Sequence, residues 1–465
     1  MIQSFKNIFA IPDLRKRVLY TLGLLAVYRI GGHIWVPGID TAALTRLFEQ
    51  SGGGGILGYV DLFAGGNLKR FSIFALGIMP YITASIVLQL LTVVWPYLEK
   101  LSKEGEAGRK RITQFTRYGT VVLALVQSFG IARWIEYSSA SGGVGQIVHS
   151  PGFGFTVLTM ITLTTGTAFL MWLGEQISER GIGNGISLII YAGIVVGLPA
   201  AIHQTWIDIQ SGSMGVLTVL VLLALMVAVV AAIVFVERAQ RKIPINYAKR
   251  VVGRRVYGGA STYLPLRVNT AGVIPVIFAS SMLAIPTTLL TLGPLKEVEF
   301  TRELARQLEY SAPLHNILYL VLIVFFAFFY VSIIFNPMDQ ADNMKKYGGF
   351  IPGIRPGKRT AEYIDRILTR LTFGGSVYLA IISILPVLLI SGLQLQRLPV
   401  IGPGLDTFLP RVLLDGLNVK FYFGGTSLLI VVGVAMDTVQ QIESQLIMRN
   451  YEGFMKGTRI RGRRG

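Results

Sequence analysis

Apolar positions along this chain come in long blocks, not in alternation. Ten blocks fall at 18-36, 71-95, 118-136, 153-174, 184-206, 214-236, 271-292, 314-336, 371-391 and 421-442. Each is near the length of about twenty residues that carries a helix across a hydrocarbon core of roughly 30 Å.

The polar connections sort by charge. Lys6, Arg15, Lys16 and Arg17 precede the first block, and Lys100, Lys103, Arg109, Lys110, Arg111 and Arg117 follow the second. The connections after the sixth and eighth blocks and the C-terminal tail are also rich in lysine and arginine. Of the others, 137-152 has no basic residue, and the one after the seventh block offsets Lys296, Arg302 and Arg306 with Glu297, Glu299, Glu303 and Glu309. Basic residues are retained on the cytoplasmic side, so the alternation predicts that both termini are cytoplasmic. Ten spans divide into five and five, at 1-206 and 207-465. An odd number per half inserts the second half inverted, an arrangement that often puts a pathway at the interface between halves. The expected class is an all-α membrane protein of ten transmembrane helices.

Composition agrees. Of 465 residues, 52% are hydrophobic and 15% charged, with mean hydropathy +0.57; a soluble domain carries roughly 25% charged residues. There is no cysteine, which removes disulfides, thiolate nucleophiles and thiolate metal ligands. His33, His149, His203 and His315 lie in unrelated segments without metal-ligand spacing, so neither metal nor cofactor is expected. No cleavable signal peptide is expected, because the run after Arg17 is long enough to span. The net charge of +18 is accounted for first by topology and anionic lipid, with an excess that leaves room for an acidic partner.

Three segments stand apart. LGYVDLFAGGNLKR, residues 57-70, is too short and polar to span yet carries Leu57, Leu62, Phe63 and Leu68 around Gly65 and Gly66. Its pattern fits equally a packed external re-entrant loop and a small mobile helix filling a cavity. In FALGIMPYITASIVLQLL, residues 74-91, Ile78, Ile82 and Ile86 recur every fourth position and share a helical face. Such a stripe commonly faces lipid or a neighbour; it could also build an apolar constriction that stops ions by dewetting yet yields around a varied substrate. The segment ERAQRKIPINYAKRVVGRRVY, residues 237-257, holds more cations than orientation requires, which favours docking of an acidic partner such as ribosomal RNA. A second basic tip, FIPGIRPGKRT at 350-360, is not a phosphate loop: Pro352 stands five before Gly357, and Arg359 replaces the needed Ser or Thr.

Arg29, Arg133, Glu175 and Asp437 sit near span ends, and no carboxylate lies convincingly at mid-membrane. That lowers an ion-coupled transporter, and the lack of a nucleophile-base set lowers an intramembrane enzyme. A ribosome receptor without a pore would explain the basic loops but not the isoleucines.

Several strings, in order through nearly the whole chain, resemble the SecY family. They are RIGGHIWVPGID (29-40), FALGIMPYITASIVLQLLTV (74-93), GEAGRKRITQFTRYGT (105-120), MWLGEQISERGIGNGISLIIYAGI (171-194), NYAKRVVGRRVYGGASTYLPLRVNTAGVIPVIFASS (246-281), GFIPGIRPGKRTAEYID (349-365) and FYFGGTSLLIVV (421-432). The resemblance implies two pseudo-symmetric inverted five-helix halves around a central hourglass pore, with a plug helix and a lateral gate. It implies a protein-conducting channel of the Sec translocon in the bacterial inner membrane. Such a channel passes unfolded preproteins across and releases transmembrane segments sideways into the bilayer. By motif matching, Ile78, Ile82, Ile86, Ile186, Ile190, Ile277 and Ile430 would form the pore ring. Leu57, Asp61, Leu62, Phe63, Gly65, Gly66, Asn67, Leu68 and Arg70 would belong to the plug, and Thr83, Gln127 and Asn269 to the gate's polar contacts. Arg241, Lys242, Lys249, Arg250, Arg254, Arg255, Arg355 and Lys358 would dock the SecA motor or the ribosome. Implied partners are SecE, SecG, SecA, the ribosome, signal peptides and nascent chains, with YidC and SecDF as optional additions. The stretches 137-152, 293-313 and 391-420 look divergent or longer than in familiar members.

Overall fold

The computed structural model describes residues 11-50, 61, 64-140, 147-212, 215-247, 250-252, 255-257, 261-292, 303-304, 307-308, 312-390, 392 and 425-457. The described chain is mostly helical. Helices α1 (Pro12–Gly31), α2 (Thr41–Gln50), α3 (Met79–Val94), α4 (Pro96–Lys103), α5 (Glu106–Ala140), α6 (Phe153–Arg180), α7 (Gly185–Gln210) and α8 (Val216–Arg238) come first. Strands β1 (Gln240–Tyr247), β2 (Arg250–Val252), β3 (Arg255–Tyr257) and β4 (Ser261–Arg267) follow. Then come α9 (Ile274–Leu292), α10 (Pro313–Ile334), α11 (Pro337–Lys346), β5 (Gly349–Phe350), α12 (Lys358–Ile390) and α13 (Gly425–Gly457).

Among the described residues, six helices are long and apolar enough to cross a membrane: Glu106–Ser139, Phe153–Arg180, Gly185–Gln210, Val216–Arg238, Pro313–Lys346 and Lys358–Leu385. A seventh results if α3 and α4 count as one bent span. The expected spans at 18-36, 271-292 and 421-442 overlap α1, α9 and α13. α1 carries Arg15, Lys16, Arg17 and Arg29, and the apolar run Ile274–Ala284 of α9 is short. α8 is apolar on every side and mostly exposed, as a lipid-facing helix is.

The expected block 71-95 differs at its start. Residues 71-78 form turns, and Phe71 and Gly77 both have positive φ, so the helix begins only at Met79 with Pro80 in its first turn. It ends where Pro96 forces Trp95 out of helical geometry (φ −100, ψ 113), and α4 leaves at 98°.

The chain divides into two compact units. The first comprises Met1–Thr205, Ala284–Ala305 and Val434–Gly465; the second comprises Trp206–Leu283 and Arg306–Gly433. In the first, α5 packs along α3 and α6, and α1 along α6. Close approach depends on glycine: a Cβ on Gly166 of α6 would stand 1.8 Å from the Ile73 carbonyl oxygen. Leu44, Leu68, Phe71, Ala124, Ile135, Ile147 and Leu163 are buried together in one apolar cluster. Arg117 forks onto Glu175 through Nε (2.9 Å) and Nη2 (2.8 Å), joining α5 to α6.

In the second unit α10 and α11 pack on α12. Here the all-α expectation needs amending. β1 pairs antiparallel with β4 from Gln240↔Arg267 to Asn246↔Ser261, and with β5 at Asn246↔Phe350 and Tyr247↔Gly349. β2 and β3 pair antiparallel in a separate two-stranded sheet. Ile243, Ile245 and Leu266 bury one face of the larger sheet against Met344, Ile351 and Ile364.

Candidate functional site

The segment before α3 is held by its own backbone and by α1 and α7. Asp61 Oδ1 accepts from the backbone N–H of Leu68 (2.8 Å) and Lys69 (2.9 Å), and the Gly66 N–H reaches the Asp61 carbonyl at 2.9 Å. These bonds tie Asp61 to residues 66-69, in a turn where Gly65 and Gly66 have φ of +71 and +76. Burial pushes the Asp61 carboxyl above the ordinary carboxylate range, opposed by those two N–H donors and by Lys69 and Arg70. Leu68 is buried in the cluster with Leu44 and Ile135. Arg70 is exposed, its Nη1 3.2 Å from His33 Nε2. Leu57, Leu62 and Phe63 lie outside the described residues.

The turn abuts α7 at Gly193 and the segment leading into α3 at Gly77. A Cβ on Gly65 would stand 2.7 Å from the Cα of Gly193 in α7, and one on Gly77 3.1 Å from the Cα of Ala64. These contacts fall at the ends of two isoleucine stripes. Ile78 is the N-cap of α3, its carbonyl accepting from the Ile82 N–H at 3.1 Å, so Ile78, Ile82 and Ile86 do share one face. Ile186, Ile190 and Gly193 are likewise spaced i, i+4, i+7 along α7. Ile78, Ile82, Ile86 and Ile190 are buried and Ile186 is half-buried. In the second unit Ile277 and Ile430 are buried on α9 and α13. Those helices meet where a Cβ on Gly433 would fall 2.1 Å from Val273 Cγ2.

Thr83 is buried on α3 and Gln127 half-buried on α5. Asn269 lies buried just before α9 and donates from Nδ2 to Glu237 Oε1 at 2.7 Å and to the Gly272 carbonyl at 3.2 Å. Sequence reasoning missed Glu237, a carboxylate in the last turn of the apolar α8; its place at the end of an uncharged run was the available signal. It also missed Tyr28 of α1 and Gly193, which nothing in a linear pattern marks.

The two basic segments share one sheet, because β5 from the second pairs with β1 from the first. Arg241 and Lys242 are exposed on β1, Arg355 is exposed in the tip between β5 and α12, and Lys358 is exposed at the start of α12. The Thr360 hydroxyl donates to the Arg355 carbonyl at 2.9 Å, which ties that tip to α12. Arg250 and Arg255 fall on β2 and β3; Lys249 and Arg254 lie outside the described residues. Tyr263 and Tyr347 are exposed on the same subdomain.

Solved structures share this architecture. One, described as the structure of a protein conducting channel, aligns with TM-score 0.61 and 18% identity over 93% of this chain and 92% of its own. Sec61 in the canine ribosome-channel complex from the endoplasmic reticulum aligns with TM-score 0.57 and 18% identity over the same shares, 93% and 92%. Fold and apolar helices together define a multi-pass membrane protein with the fold of protein-conducting channels.

The family model SecY matches residues 72–439. The protein translocase subunit SecY of Streptomyces coelicolor is 48% identical over 462 residues, covering 98% of this chain and 100% of the relative. That of Escherichia coli K12 is 48% identical over 461 residues, 99% and 97% of the two. The chain belongs to the SecY family.

Proposed function

We propose that this chain is the protein-conducting channel of a bacterial Sec translocon. It would cross the inner membrane ten times, with both termini cytoplasmic and inverted halves 1-206 and 207-465 around an hourglass pore. Ile78, Ile82, Ile86, Ile186, Ile190, Ile277 and Ile430 form the constriction, and the 57-70 segment is its plug. An apolar ring is a barrier to ions by dewetting and grips an unfolded chain without regard to its sequence, because dispersion contacts have no direction. The gate lies between α3, α5, α9 and α10, with Thr83, Gln127 and Asn269 as polar contacts. A sufficiently apolar segment leaves there, because about twenty apolar residues are more stable in lipid than in an aqueous pore. Binding of a signal peptide shifts the closed-open equilibrium.

The sheet carrying Arg241, Lys242 and Arg355 is the cytoplasmic docking surface for SecA or the ribosome, which supply the driving force. A Sec61 relative and the yeast Ssh1 complex are described in ribosome-bound structures, which favours that partner. SecE and SecG complete the complex.

The observation that carries the reading is the contact of the glycine turn at 64-66 with Gly77 and Gly193, at the ends of two isoleucine stripes. The chain has no cysteine, so a pair of cysteines introduced into α3 and α9 gives a single defined cross-link. Locking that pair is expected to abolish transport, and reduction to restore it. Transport that continues through the locked form contradicts the proposal.

A further inference from the structure

The 61-70 turn is fixed to α1 by one tyrosine and one asparagine. The Tyr28 hydroxyl lies 3.4 Å from the Ala64 carbonyl and donates to it; Asn67 Nδ2 donates to the same carbonyl at 2.6 Å and to the Tyr28 oxygen at 3.3 Å. Tyr28 and Asn67 are buried, at 4% and 1% exposure. The tyrosine ring stacks on Phe74, with centroids 5.9 Å apart. Phe74 in turn fits over Gly31, where a Cβ would stand 2.1 Å from the ring. The hydroxyl is also 2.7 Å from where a Cβ on Gly65 would be, so it meets the turn beside its contact with Gly193.

We infer that Tyr28 and Asn67 are positioning residues that latch the plug. This rests on reading the 57-70 segment as a plug and goes beyond it, since that reading does not say what retains the segment. The apolar contact of Leu68 would hold the turn loosely, because dispersion has no preferred direction. A three-membered hydrogen-bonded set fixes both position and orientation.

The latch is incomplete in a way that suits reversible displacement. Among the described residues, Asn67 Oδ1 is buried with no hydrogen-bond partner. It faces Gly32, where a Cβ would come within 2.5 Å of it. An unmet buried acceptor offsets part of what the other bonds contribute. The seated state is therefore held, but not deeply. Displacement would return Asn67 to water, where all its groups are satisfied.

The test uses the full chain assembled with its SecE-type partner in sealed vesicles. Two readouts are taken: resting ion leak, and modification of a lone cysteine introduced by Ala64→Cys with a membrane-impermeant maleimide. Ala64 has no exposed surface, so reaction reports departure of the turn from its seat. Tyr28→Phe keeps the ring stack and removes the hydroxyl. It should raise modification and leak roughly five- to thirty-fold, the range for one or two net hydrogen bonds. Asn67→Ala should do the same, and combining the two should add less than the product of their effects.

Gly193→Val, which crowds the seat directly, separates the latch from the plug reading. Leak with Gly193→Val but none with Tyr28→Phe or Asn67→Ala overturns the latch and leaves the plug reading standing. Maleimide reaction of the introduced thiol without leak in any variant overturns the plug reading and the latch with it.

Discussion

The turn at 61-77 and the sheet at 240-267 are both short polar interruptions between apolar helices, yet they are built on opposite principles. The turn is largely buried, organised by glycines and held by hydrogen bonds, with no room for a Cβ on Gly65 and little for one on Gly77. The sheet buries one apolar face and exposes its cations, and its surface residues make few demands on the fold. In the proposed function, shape would decide the removable seal, and number and exposure of charges would decide the docking of a charged partner. The difference predicts that substitutions in the first unit's packed seams act on stability and sealing, whereas those on the sheet act on binding alone.

The largest effect is expected where volume meets backbone. Gly166→Ala puts a methyl 1.8 Å from the Ile73 carbonyl, at the segment that leads into α3. The loss should be about 3 kcal/mol, seen as a lower unfolding temperature of the detergent-solubilised complex. An unchanged temperature would show that the seam is looser than its geometry.

Next comes the buried pair at the base of the sheet. Asn269→Leu leaves Glu237 buried without its 2.7 Å donor. It should cost about 2 kcal/mol in the same measurement. Arg355→Glu, exposed on the tip, should leave the unfolding temperature alone. Affinity for SecA or ribosomes should fall about tenfold, and the salt dependence of ribosome binding should flatten. Loss of stability with Arg355→Glu, or loss of binding with Gly166→Ala in folded protein, would break the contrast.

The smallest effect is one of pH. The Asp61 carboxyl, raised from 3.8 by burial, binds its proton more tightly when the turn is seated than when it is displaced. The seated state is therefore strengthened as pH falls through the raised value towards 3.8, and weakened as pH rises through the same window. Resting ion leak should decrease on acidification within that window. Asp61→Asn should flatten the profile, and a profile that keeps its slope would exclude Asp61 as its origin.

Much of this was legible in the sequence, for identifiable reasons. Apolar blocks of spanning length can only be helices in lipid, so α5 to α8, α10 and α12 could be placed from hydropathy. The i, i+4 spacing of Ile78, Ile82 and Ile86 survives in α3 because the Ile78 cap already carries the first helical hydrogen bond. The sheet was not legible. β1 and β4 do alternate, at Ile243 and Ile245 and at Leu264 and Leu266, but Pro244 and Pro265 interrupt the pattern. Both prolines are tolerated because β4 is an edge strand and β5 covers only two residues of β1. The Tyr28–Asn67 and Glu237–Asn269 pairs join residues 39 and 32 positions apart, which no local period can indicate.

Conduction of unfolded polypeptide by this chain can be measured directly. The most direct measurement places it with a SecE-type partner in sealed vesicles, adds SecA, ATP and a signal-bearing precursor, and scores precursor protected from external protease. Protection is expected to require ATP and to be lost with Arg355→Glu in a complex that still assembles. An assembled complex with an active motor that protects no precursor would contradict conduction, leaving the basic sheet as a receptor and the isoleucine stripes as packing.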